Sequence, residues 1–152
     1  DKDFGLAYAK SQMASQNSLP TKGLAFISLK DRHKNEGVDL AKQLIKLGFT
    51  LCGTEGTANR IIKNGIKCKK INKVSGGSPH IIDVLNSKKI ALVINTGGGK
   101  RAYRIQDSTS LRRSTLINKV PYCTNMSTAY AFLEAIKSLK TKKIEVKSLQ
   151  EI

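Results

Sequence analysis

Acidic residues are scarce: 11 aspartates and glutamates face 27 lysines and arginines in 152 residues, a formal net charge of +16. Such a balance points to polyanionic partners, nucleic acid among them. Aromatic residues are also few, at 5%, and 21 of the 27 cations are lysines scattered along the whole length, so the composition disfavours a nucleic-acid-binding module. A lysine-rich solvated surface accounts for the charge. The three cysteines, Cys52, Cys68 and Cys123, are odd in number, have no paired spacing and no histidine cluster beside them, which argues against a disulfide framework and against a zinc site. A reducing, cytoplasmic location is the expectation. No apolar run approaches the ~18 residues of a membrane span, and the opening Asp-Lys-Asp-Phe lacks the basic and apolar regions of a signal peptide, so neither a membrane nor a secreted protein is expected.

What is present is enough for one core: 39% apolar residues over 152 positions is the size and composition of an ordinary domain. Phe4, Leu6, Ala7, Ala9 and Met13 predict a short helix, and the run from Ser15 to Pro20 reads as a linker, which places a boundary near Pro20. A regular alternation follows. Gly23 to Leu29 is a short apolar run without helical gaps, as in a strand buried on both faces. Val38, Ala41, Leu44 and Ile45 then recur at helical spacing until Gly48 stops the helix. The cycle repeats with strands at 49–52, 68–74, 90–94 and 120–123. The helices run through Ala58 to Ile62, from about His80 to Asn86, through Arg112-Arg113 to Asn118, and from Ser127 to Leu139. Residues 144–146 add a candidate edge strand. Strand-helix alternation with short links predicts an α/β fold, a mainly parallel five-stranded sheet covered by helices on both faces.

In such sheets ligands gather at the carboxyl ends of the strands, where helix N-termini offer unpaired amides. The loops there contain cations, hydroxyls and glycines, with Asp31 and Glu55 as the few carboxylates, and no Ser-His-Asp or Cys-His arrangement can be assembled from them. No catalytic residue is assigned; the composition suits a phosphate monoester. Gly53-Thr54-Glu55-Gly56-Thr57 is the sharpest signal, because glycine lets backbone approach a ligand and threonine hydroxyls donate to oxygens, although an ordinary helix cap reads equally well from the pattern. It lacks the spacing and lysine of a triphosphate-binding loop. Gly98, Gly99, Lys100 and Arg101, after the most apolar strand, form a candidate anion nest or a linker. His80 and Asp83 have no third ligand, so a capping role outweighs a metal site, and none is assigned. Arg112-Arg113 reads as an exposed helix face or a contact with another domain.

The segments FGLAYAKSQMA, LAFISLKD, VDLAKQLIKLGFTLCGTEGTA, INKV, GSPHIID, VINT, KRA, LRRSTL and VPYCT together resemble the C-terminal allosteric domain of the carbamoyl-phosphate synthetase large subunit, in the methylglyoxal-synthase-like superfamily. The resemblance covers nearly the whole chain. It implies that residues 1–20 are a remnant helix and linker of the preceding synthetase domain and 21–152 the allosteric domain. It implies UMP as inhibitor and IMP as activator in one phosphate pocket, and ornithine at the junction with the synthetase domain. Carried across by motif, Ser28 stands in the first-strand motif, Lys34 and Lys73 match the pocket lysines, Thr54 and Thr57 the pocket threonines, and Asn95 with Thr96 the polar end of the fourth strand; Thr124 resembles a residue near the ornithine site. Gly97-Gly98 replaces a further hydroxyl, and Tyr103 to Ser110 is about two residues longer than the family pattern. No cofactor is implied for this domain. ATP and magnesium or manganese belong to the rest of the parent ligase, as does a small glutaminase subunit.

A superfamily enzyme, methylglyoxal synthase, is the rival reading. It eliminates phosphate from dihydroxyacetone phosphate and needs a carboxylate base after the third strand, where this chain has Gly76-Gly77-Ser78-Pro79.

Overall fold

The computed structural model describes residues 1–73, 76–97, 102–146, 148 and 150. Helix α1 (Phe4–Ala14) leads into strand β1 (Gly23–Ser28), a single 3-10 turn (Asp31–His33) and α2 (Lys34–Lys46). Then come β2 (Phe49–Gly53), α3 (Glu55–Lys63), β3 (Lys69–Lys70), α4 (Ile81–Asn86), β4 (Ile90–Asn95), α5 (Ala102–Ile117), β5 (Tyr122–Cys123) and α6 (Met126–Thr141). The sheet runs β3-β2-β1-β4-β5 with every pairing parallel, as the alternation requires.

Successive strand residues point to opposite faces, and both faces are buried. Ala25, Ile27, Leu51, Leu92 and Ile94 face a core shared with Leu40, Leu44, Ile61, Phe132 and Ile136 of α2, α3 and α6. Phe26, Cys52, Ile90 and Val93 face Ile81, Leu85 and Leu111 of α4 and α5. Each fully buried aliphatic side chain contributes about 1.5–3 kcal/mol, so the two-sided core is the main stabilising force. It also presses the three thiols into apolar surroundings: burial pushes Cys52 and Cys123 up to about 12 and Cys68 up to about 11, leaving them poor nucleophiles at neutral pH. Among the described residues no helix is long and apolar enough to cross a membrane.

Helix α1 lies along α6, with Ala9 and Leu19 in the main core, and two expectations about the edges of the sheet need correction. Gly5 makes this approach close, since a Cβ there would stand 2.6 Å from the Glu134 carbonyl oxygen. Residues 144–146 add no strand to the sheet; Lys10 Nζ holds the Glu145 carbonyl at 2.5 Å and Lys142 pairs with Asp3, drawing the tail across α1 instead. The third strand is shorter than 68–74: its ladder covers Lys69 and Lys70, followed by a single Asn72–His80 bridge.

Candidate functional site

The strand order reverses direction between β1 and β4, which opens a crevice at their carboxyl ends. The register places Ser28 opposite Asn95 across it. On the other side of β1, β2 ends at Gly53 and turns directly into α3. Thr54 is the N-cap of α3 in extended conformation, yet its side chain makes no capping hydrogen bond. The first-turn amides of α3 therefore have neither an intrahelical nor a side-chain cap acceptor, and the helix dipole adds a partial positive charge at the same place.

Three hydroxyls converge beside that turn. Thr54 Oγ1 lies 3.4 Å from both Ser28 Oγ and Thr57 Oγ1. Thr57, almost wholly buried, accepts the Leu29 N–H at 3.0 Å, so one of its lone pairs ties the loop after β1 to α3. Lys34, at the start of α2, brings its ammonium over the first turn of α3, and a Cβ on Gly56 would stand 2.9 Å from Nζ. In the same place Asp31 Oδ1 accepts from Lys34 Nζ at 2.6 Å.

The β4 side is differently occupied. Buried Thr96 accepts the Lys30 N–H at 3.2 Å and lies 3.0 Å from His33 Nδ1. Asn95 Oδ1 accepts the Gly97 N–H at 3.0 Å, and Asn95 Nδ2 donates to the Tyr122 hydroxyl at 3.2 Å. Tyr122 in turn lies under the Arg112 guanidinium, 6.0 Å from ring centroid to Cζ, which gives Arg112 a local role on the α5 face. His33 and Tyr122 thus join the site's hydrogen-bond network although neither was singled out as a site residue from the sequence; their contacts arise from the fold bringing separate loops together.

Lys73 is exposed in the segment after β3, its carbonyl accepting the Gly76 N–H at 2.9 Å, and its side chain has no hydrogen bond to the hydroxyl cluster. Thr124 is exposed at the end of β5, next to Asn125, whose side chain caps α6 by accepting the Thr128 N–H at 2.8 Å. The candidate nest Gly98, Gly99, Lys100 and Arg101 lies outside the described residues. Asp83 is on the first turn of α4, where Oδ2 accepts the His80 N–H at 2.8 Å and the Ser78 hydroxyl at 2.7 Å. Those two bonds hold its carboxyl below the usual carboxylate range, the state of a helix cap. Among the described residues no group of three His, Cys, Asp or Glu side chains gathers to hold a metal ion. A larger cavity of about 680 Å³ lies away from the hydroxyl cluster, lined by residues including Ile45, Leu51, Ile62, Ile66 and Cys68, and contains none of these donors.

The chain is 44% identical over 99% of its length to the carbamoyl phosphate synthase large chain of Mesorhizobium japonicum, of which it spans 13%. It is 45% identical over its full length to the large chain's C-terminal section in Aquifex aeolicus and 43% identical to that section in Methanopyrus kandleri, spanning 29% and 28% of them. In three dimensions it is similar to methylglyoxal synthase of Elizabethkingia anophelis, with a TM-score of 0.59 and 17% identity over 86% of this chain and 89% of that one, a likeness of fold. The sequence profile of the MGS-like domain matches residues 36–124, from α2 to the end of β5, and the chain belongs to that family.

Proposed function

We propose that this chain is the regulatory, nucleotide-binding domain of a carbamoyl-phosphate synthase large chain, with the phosphate of a nucleoside monophosphate seated at the N-terminus of α3. The observation that carries this reading is the convergence of Ser28, Thr54 and Thr57 hydroxyls, the Lys34 ammonium and uncapped helix amides beside the crevice. The relatives' names supply the setting. UMP as inhibitor and IMP as activator are the effectors, controlling carbamoyl phosphate synthesis for the arginine and pyrimidine pathways. Lys73, Asn95 and Thr96 complete the pocket, Lys73 and Asn95 by turning toward the bound ligand. The candidate nest from Gly98 to Arg101 is a further anion contact, and Thr124 faces an ornithine site shared with a neighbouring domain. The ligase chemistry, with ATP and a divalent metal, belongs to synthetase domains of the same large chain, served by a small glutaminase subunit. The location is the cytoplasm, a compartment that keeps three unpaired thiols reduced.

The fold likeness favours one second reading, phosphate elimination from dihydroxyacetone phosphate. Elimination needs an unengaged base, but the sequence from Lys73 to Ile82 has no carboxylate and Asp83 is committed to capping α4. Calorimetric titration with UMP, IMP and their nucleosides separates the readings. Lys73→Ala is expected to weaken nucleotide binding roughly ten- to a hundredfold, as loss of a charged hydrogen bond does, and the nucleosides to bind poorly. Uridine or inosine binding as tightly as its monophosphate overturns the phosphate pocket. Methylglyoxal formation that disappears in Asp83→Asn restores the enzyme.

A further inference from the structure

At the end of the sheet opposite the crevice, the last turns of α2 and α3 meet β2 and β3 around the groove of about 680 Å³. Ile45 and Ile62, which help to line it, are 41% and 44% exposed, and buried Leu51 with half-buried Ile66 and Cys68 completes the apolar lining. Scattered exposed aliphatics need no explanation, but two left open in one concave apolar surface mark a contact site. The charged residues of the lining are Lys67 and Lys69. Lys46, Lys63 and Lys70 adjoin Ile45, Ile62 and Lys69 in the sequence, and all five lysines are exposed. No aspartate or glutamate occurs between Glu55 and Asp83, and among the described residues none of the five is in a salt bridge. Lys46 and Lys63 answer the dipoles of their own helices; Lys67 and Lys69 lie outside the helices and have no such duty.

We propose that this groove docks an acidic amphipathic helix of a partner protein, its aliphatic face against Ile45 and Ile62 and carboxylates on its flanks meeting Lys67 and Lys69. The charge distribution selects this occupant. A fatty acid has one carboxylate at one end, whereas the lysines here are spread over α2, α3 and the segment from Lys67 to Lys70, and a flat bilayer does not fit a concave surface. A second copy is a poor match: apart from the six-residue α4, no helix of this chain has a net negative charge, and copies of a +16 chain repel one another. Strand addition is equally poor, because the β3 edge is a ladder of two residues. None of the lining residues belongs to the phosphate pocket, so the two sites stand or fall separately.

The test is fluorescence anisotropy of a labelled synthetic helix of about 18 residues, leucine on one face and glutamate on the others, titrated with the 152-residue chain. Two further peptides, one with the same residues scrambled and one with lysine for every glutamate, are titrated alongside. Only the acidic helix is expected to bind. Ile62→Ser should weaken it roughly tenfold, the worth of one aliphatic contact. Lys67→Gln combined with Lys69→Gln should weaken it about two- to fivefold at low salt, a difference that vanishes at about 1 M salt. Leu116→Ser, at a remote α5 position 69% exposed, should change nothing. The substituted side chains are all exposed, so the variants keep the fold, which a melting curve checks. Absence of binding overturns the proposal, as does equal binding of the scrambled or basic peptide, an Ile62→Ser protein that binds like wild type, or the same loss in Leu116→Ser. Sedimentation of wild type but not Ile62→Ser with anionic phospholipid vesicles assigns the groove to a membrane and overturns it too.

Discussion

Replacing Thr57 separates the fold-holding duty of its hydroxyl from the ligand-holding duty proposed for it. Thr57 is 2% exposed, and its Oγ1 accepts the Leu29 N–H at 3.0 Å, a donor for which Thr57→Val offers no substitute while keeping the side chain's shape. A buried amide left without an acceptor costs about 1–3 kcal/mol, and domains of this size move about 2–4 °C in Tm per kcal/mol, so Thr57→Val should melt roughly 2–12 °C lower. The same change removes a hydroxyl donor to the phosphate, worth about 1.5–3 kcal/mol against a charged acceptor, so UMP affinity should fall roughly ten- to a hundredfold. Thr57→Ser reverses the pattern: it keeps the hydroxyl and loses one methyl, costing about 0.8 kcal/mol of stability and little affinity. Differential scanning calorimetry and titration on the three proteins read both quantities. A Thr57→Val protein as stable as wild type, or Val and Ser variants indistinguishable in both assays, refutes the assignment of Thr57 as the tie between β1 and α3.

Gly5→Ala should lower the melting temperature through 1–3 kcal/mol of overpacking (about that range), because the new methyl meets the Glu134 carbonyl, part of the α6 backbone; removal of residues 1–20 should cost more, and unchanged melting of either protein refutes α1 as part of the core. Asp3 is held down to about 2 by Lys142, the Leu6 N–H and the Ser138 hydroxyl; a depressed carboxylate stabilises above its unfolded value of 3.8 and loses that effect as pH falls toward 2. Asp3→Asn should therefore flatten the acid limb of a pH–stability curve between those values, and an unchanged limb excludes Asp3 as its source.

Most of the sheet was legible because its signals are local and redundant. Ala25 to Ile27 and Leu92 to Ile94 are apolar on both faces, and Gly48 and Gly65 stop helices where the periodicity ends. The β3 edge was overestimated because residues 68–74 have strand-like composition, while pairing depends on a partner, and β2 offers register only to Lys69 and Lys70. The packing partner of α1 was not legible for a related reason. FGLAYAKSQMA is apolar without a polar face, a pattern that marks burial without naming the partner, and the partner, α6, lies more than a hundred residues away. In the site, the Gly53 to Thr57 turn could be read because glycine and threonine have meaning at a strand end. The His33–Thr96 and Asn95–Tyr122 contacts join loops distant in sequence, and no local pattern encodes them.

The direction of these hydrogen bonds bears on the proposed phosphate pocket. The Thr57 oxygen is spent accepting Leu29 N–H, the Thr96 oxygen accepting Lys30 N–H, and the Asn95 carbonyl accepting Gly97 N–H. A hydroxyl whose lone pair is engaged by backbone still has its own hydrogen to give. Lys34 and the α3 amides add donors and no acceptor. The fold engages these acceptors, and on the proposed reading the Thr57 hydroxyl hydrogen, the Lys34 ammonium and the α3 amides are the donors offered to a phosphate dianion. Proton abstraction needs the opposite, a basic lone pair held ready beside the ligand. Asp83 is engaged at the start of α4 and Asp31 with Lys34, while Glu55 lies exposed on the first turn of α3. On the phosphate-pocket reading, the site gains its energy from donors directed at the charge of the bound phosphate.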